Sequence, residues 1–229
     1  PLIRTALASP HPAVELAALE AAGSVGDAEL VPILAGRAAS GTGAQQAAAR
    51  RSLARLPGDD VDRAILSLVS SSDSALQVEA INALRERRTT IDVAGQPLLV
   101  QAKNADRQVR AAALKALADL AGAEQIPDLV SLLLAQAEEI DGQAHDVAKT
   151  LAAAARRVSA EDPAAELLLQ RLPSATRAQR VMVLVALAQL GSPVGRPTLK
   201  QALRQTGDIR LRKDALGALL MGTPDDSFV

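Results

Sequence analysis

Catalysis and metal binding need groups that take protons, hold cations or attack carbon, and this sequence offers few: two histidines, no cysteine and no tyrosine. His145 stands between Asp141 and Asp146, and these three residue types are metal-ligand types. Neighbours on a helix point about 100° apart, however, so His145 and Asp146 cannot converge on one ion, and the segment reads as a solvated helix start. His11, flanked by Pro10 and Pro12, falls in a turn. The stretch Gly191-Ser192-Pro193-Val194-Gly195 resembles a nucleophile elbow by letter only, because an alanine-leucine helix stands where the elbow needs a strand. No catalytic residue, cofactor site or metal site is expected, and the chain reads as noncatalytic.

Two further constellations concern binding. Arginines gather at Arg50, Arg51 and Arg55, at Arg85, Arg87 and Arg88, at Arg156 and Arg157, and at Arg204, Arg210 and Arg212 with Lys213. Stacked helices could align them into a stripe for nucleic acid. Against this, 26 acidic residues interleave with 25 basic ones for a formal charge of −1, and no Trp or Tyr can stack on a base. The run Val181 to Ala188 is apolar on every side of a helix, which marks either a fully covered helix or an exposed patch that binds something. The column of Val185 carries Arg51 and Lys115 elsewhere in the chain. Val181, Val185 and Ala188, with Ala148, Ala152 and Ala155 one unit earlier, are therefore the candidate protein-binding groove.

Columns exist because the chain repeats. Laying Val14 on Val109 matches Leu19 with Leu114, Ala21 with Ala116 and Pro32 with Pro127 without a gap. Weaker copies recur about every 31 to 37 residues, a period that signals a solenoid. One column runs through Val25, Leu56, Arg87, Leu120, Arg157, Leu190 and Gly222. Alanine dominates the composition and strand formers are thin, so each unit reads as two helices joined by a polar turn. Leu117, Leu120 and Leu187 are assigned to the core and Lys115 to the surface. Pro32, Pro97, Pro127 and Pro197 recur in the first helix of four units, predicting a repeated kink or a late helix start. Asp106 and Asp208, with Asp73 and Thr176 in the same column, sit where a helix N-cap is expected.

The resulting pattern is a proline-bearing helix, an Asp-containing turn, then a helix opening Val-Arg and running through Ala-Leu to a polar stop. Asp106, Val109, Arg110, Ala113, Leu117 and Leu120 carry it, followed by Pro127; Asp208, Leu211, Arg212, Ala215, Leu216 and Leu219 repeat most of it. This resembles the HEAT-repeat superfamily, most closely its bacterial, phycobilisome-lyase-type branch. The resemblance implies an all-α, right-handed α-solenoid of about seven HEAT-like helix pairs with the terminal ones incomplete. It also implies an inter-repeat polar ladder, for which Asp106 with Arg110 and Asp208 with Arg212 are the complete rungs. Binding in such scaffolds uses the concave face, so a protein partner, or flanking domains of the same parent chain, is expected. An accessory lyase or chaperone subunit and a nucleic-acid clamp are the alternatives.

The remaining expectations concern extent. Residues 1–229 read as a single repeat domain with a flex point at 137–160, where the spacing stretches. Pro1 opens the chain without Met, and the last unit from Asp208 supplies one helix and then Gly222 to Val229, as in a segment of a longer protein. No apolar stretch reaches the length of a membrane span. Without cysteine there are no disulfides, which suits a cytoplasmic chain or one exported without them.

Overall fold

The computed structural model describes residues 2–58, 60–138, 143–205 and Leu216. Among these the protein is all-helical, and the chain divides into two compact units, Pro1–Leu120 and Ala121–Val229. The division lies at the end of a helix, upstream of residues 137–160.

The first unit contains α1 (Leu2–Leu7), α2 (Pro12–Val25), α3 (Val31–Ser40), α4 (Gly43–Arg55), α5 (Val61–Val69), α6 (Ser74–Arg87), α7 (Ile91–Gln101) and α8 (Arg107–Leu120). Each odd-numbered helix packs on the even-numbered helix that follows it. The even helices pack in sequence, α2 on α4 on α6 on α8, and α3, α5 and α7 do likewise, so two layers of helices stack as an α-solenoid. The second unit repeats the plan with α9 (Ile126–Gln136), α10 (Gln143–Arg157), α11 (Glu161–Arg171), α12 (Arg177–Leu190) and α13 (Arg196–Gln205). Among the described residues no helix is long and apolar enough to cross a membrane.

Aliphatic side chains fill the space between layers: Leu19, Leu34, Leu53, Ile65, Leu84 and Leu117 in the first unit, Ile126, Leu133, Leu168 and Leu187 in the second, all fully buried or nearly so. Leu120 is only half-buried, because it closes α8 where the helix leaves the core. Small residues let the even helices touch. A Cβ on Gly23 of α2 would come within 2.9 Å of Ser52 Cα on α4, and the Ser52 hydroxyl donates across that contact to Leu19 O at 2.5 Å.

The recurring prolines start helices late. Pro32, Pro127 and Pro197 each follow a short 3-10 turn, Ala28–Leu30, Ala123–Gln125 and Pro193–Gly195, and take the second position of α3, α9 and α13, where a missing N–H costs nothing. Pro97 alone of the four sits inside its helix. The N-cap column holds as well. Asp73 accepts from the Ala75 and Leu76 amides, Asp106 from those of Gln108 and Val109, and Thr176 from the Gln179 amide, while the Gln179 side-chain Oε1 accepts from Thr176 N–H.

Candidate functional site

The six residues of the expected groove are core or nearly so. Ala148, Ala152 and Ala155 of α10 are fully buried or within 1% of it, Val185 and Ala188 of α12 are 8% and 6% exposed, and Val181 is half-buried. The sequence register slips by one residue in α10. Fully buried positions fall at Ala113, Ala116 and Leu117 on α8, at Leu151, Ala154 and Ala155 on α10, and at Val183, Ala186 and Leu187 on α12. In that register Val181, Val185 and Ala188 correspond to Lys149, Ala153 and Arg156, of which Lys149 and Arg156 are exposed. One residue turns a helix face by about 100°, which carries Ala148, Ala152 and Ala155 into the core. Val158, not Arg157, likewise falls in the column of Leu120 and Leu190.

At the expected ladder position, Asp106 and Arg110 also bond to other groups, while Arg110 adds its charge to the stabilisation of the Asp106 carboxylate. Asp106 accepts a hydrogen bond from Ser74, the first residue of α6, as well as the two amides of its own helix, and these bonds hold its carboxyl below the usual carboxylate value. Arg110 turns back and donates to the carbonyls of Asn104 at 2.7 Å and Ala105 at 3.2 Å. In the units before it, glutamines at the same place reach the last turn of the preceding helix: Gln46 Nε2 donates to Ala38 O of α3 at 2.9 Å and Gln77 Nε2 to Val69 O of α5 at 3.1 Å. Gln179 of α12 reaches instead to the pair before its own, donating to Leu134 O of α9 at 3.2 Å. These carbonyls are among the four that every helix leaves without an intrahelical donor. Asp208 and Arg212 lie outside the described residues.

Four of the clustered arginines, Arg50, Arg87, Arg156 and Arg157, are held by neighbouring repeats. Arg87 sends Nε to Asp62 Oδ1 at 2.5 Å and Nη1 to Leu56 O at 2.8 Å and Ala54 O at 3.3 Å, closing the C-terminus of α4. Arg156 reaches Gln189 O at 2.7 Å and Arg157 donates to Ala121 O. Cations at helix C-termini also suit the macrodipole. Arg50 grips the buried Glu79 with Nε at 2.9 Å and Nη2 at 2.5 Å, and this pairing raises the guanidinium's pKa. Glu15, also buried, takes a hydrogen bond from Gln45 at 2.7 Å on Oε2 and has Arg37 Nε 2.8 Å from Oε1, at an angle that leaves Oε1 without one. Arg51, Arg55 and Arg88 remain exposed, with Arg51 3.6 Å from Glu20. Arg210, Arg212 and Lys213 lie outside the described residues.

The histidines take ordinary places: His11 precedes α2 and His145 is exposed on α10, where Lys149 reaches Asp146 at 3.4 Å. Among the described residues no three His, Cys, Asp or Glu side chains gather as a metal site would. The buried Ser192 donates to Asp162 Oδ1 at 2.6 Å and accepts from Val194 N, capping the 3-10 turn that leads into α13.

Sequence reasoning missed the polar part of the α4–α6–α8 face. Arg50, Asn82, Arg85, Glu86 and Lys115 line a cleft there. Arg51, Asn82 and Lys115 share one column, and that spacing was the available signal.

No family model matches the sequence, and no curated protein matches it. Among solved structures, the crystal structure of an engineered protein is 21% identical with a TM-score of 0.41, covering 82% of this chain and 95% of that one. A second engineered protein is 21% identical with a TM-score of 0.43, over 96% of this chain and 67% of that one. The Escherichia coli protein YibA is 14% identical, also at 0.43, over 96% and 92%.

Proposed function

We propose that the chain is a HEAT-like, noncatalytic scaffold that binds another protein, or a neighbouring domain of its own parent chain, on the face formed by the second helices of its pairs. One observation supports this above others. Backbone-directed side chains hold the stack together, Gln46 and Gln77 tying the second helix of a pair to the end of the first and Arg87 and Gln179 tying one pair to another, while the outward side of α4, α6 and α8 keeps polar groups such as Asn82 and Lys115 available. A rigid stack with an open, chemically varied face is the form in which helical repeats present binding surfaces. The arginines weigh against the nucleic-acid clamp, since Arg50, Arg87, Arg156 and Arg157 already hold protein acceptors.

Photo-cross-linking in the source cell tests the reading. A benzophenone side chain at Ala111, exposed on α8, should trap one defined protein or parent-chain domain, whereas the same group at Gln96, exposed on α7, should not. Equal or absent cross-linking at the two positions would refute it.

A further inference from the structure

The cleft between α4, α6 and α8 holds a cation whose donors are unused. The Arg85 side chain is only 16% exposed, yet its nearest acidic partners stand too far away to accept its hydrogen bonds: Glu86 Oε1 is 3.7 Å from Nη2 and Asp119 Oδ2 3.8 Å from Nε. Beside it, neither the amide of Asn82 nor the ammonium of Lys115 has a hydrogen bond to the described residues. Arg50 forms one wall, with Nε and Nη2 committed to Glu79. A guanidinium, an amide and an ammonium therefore border one opening, each with donors that no close acceptor among the described residues takes up.

We propose that this cleft receives the carboxylate of a single acidic side chain on a protein partner, a proposal that rests on the scaffold reading above. Arg85 supplies a planar pair of donors, Lys115 a second positive charge and Asn82 Nδ2 a neutral donor. Glu86 and Asp119 set the selectivity. Both are more than half exposed, so either can turn into water as the ligand enters, and the charge beside Arg85 is then unchanged. The incoming carboxylate can approach to the 2.7–2.9 Å typical of charge-assisted bonds, which the two rim carboxylates do not reach. A polyanion would bring several charges against that rim, which favours an isolated Glu or Asp among neutral residues over a nucleic-acid strand.

The test uses the full chain with nitrogen-labelled arginine and asparagine side chains. It is titrated with acetyl-Ala-Ala-Glu-Ala-Ala-amide, with the same peptide carrying Gln for Glu, and with inorganic phosphate. The Glu peptide should shift the Arg85 Nε and Asn82 Nδ2 signals saturably, with Lys115→Ala and Arg85→Gln each weakening binding about fivefold or more. Lys115 is exposed, so its variant keeps the measurement valid should Arg85→Gln fail to fold. Equal shifts from the Gln peptide, phosphate binding as tight as the Glu peptide, or unchanged affinity in Lys115→Ala would each overturn the proposal. Partner cross-linking from Ala111 that persists while the Glu peptide leaves Arg85 unmoved removes the cleft alone. Peptide binding with no partner trapped at Ala111 removes the scaffold reading and the proposal with it.

Discussion

Replacing Arg87 by Ala tests whether an arginine can act as the C-terminal closure of another helix. Its side chain is 14% exposed and spans three helices: it sits on α6, pairs with Asp62 of α5 and donates to Leu56 O and Ala54 O at the end of α4. Truncation removes all of these at once. Hydrogen bonds from a charged donor contribute about 1.5–3 kcal/mol each, but the freed carbonyls lie near the surface and water can enter the space left by the side chain. Asp62 is a third exposed, so its share is small after solvent screening. A net loss of about 2–3 kcal/mol is expected, read as a lower urea midpoint at unchanged slope. Arg87→Lys should recover less than half, because an ammonium cannot hold a carboxylate and two carbonyls with a planar fork. In a double-mutant cycle, Asp62→Ala should cost little once Arg87 is absent. A loss under about 0.5 kcal/mol for Arg87→Ala, within the range of ordinary surface substitutions, would show that the closure is geometric coincidence.

Three other outcomes follow from burial and hydrogen bonding. Leu117→Ala, at a fully buried site, should lose about 2–5 kcal/mol in chemical denaturation, whereas Lys115→Ala two residues away should change stability little; the reverse order would contradict the observed register. Val185→Lys should lower the unfolding midpoint markedly, since at 8% exposure the lysine finds little water, and a variant as stable as wild type would show that the α12 stripe opens readily. Asp106 has a folded-state pKa below its ordinary 3.8, so the stability it contributes is complete above that value and is lost as the pH falls through the lower folded value. Asp106→Asn keeps a cap that cannot titrate; its deficit relative to wild type should shrink on acidification below about pH 3.8, and a deficit independent of pH would exclude the linkage.

The repeat itself was legible because packing demands a period: Val109, Ala113, Ala116 and Leu117 face the core, and three-four spacing announces that in any amphipathic helix. Caps were legible for a similar reason, since Asp73, Asp106 and Thr176 bond to amides two or three residues away. The groove misled because alanine is nearly silent about its surroundings. Ala148 and Ala153 read alike as letters, and the stretched spacing before α10 left one residue of slack that only the packed helix removes. The arginines were ambiguous because their acceptors are main-chain oxygens, and nothing in the letters Leu56 or Ala121 says that a carbonyl there awaits a donor. The Arg85 cleft escaped notice because it depends on three side chains, two from α6 and one from α8, remaining without close partners.

Gln46, Gln77 and Arg87 share a property with consequences for how such a chain changes over generations. Each fastens its helix to a peptide oxygen of another helix, which every residue type provides. A substitution at Ala38 or Val69 leaves the acceptor in place so long as the helix persists, so the joint depends on one letter where a pair of oppositely charged side chains would depend on two. Compensating double changes are then unnecessary. A duplicated pair brings along the glutamine that joins its two helices, and an arginine placed like Arg87 finds a receptive oxygen on whatever pair it lands beside, so the array can lengthen, shorten or exchange modules by recombination while its outward residues drift toward new tasks.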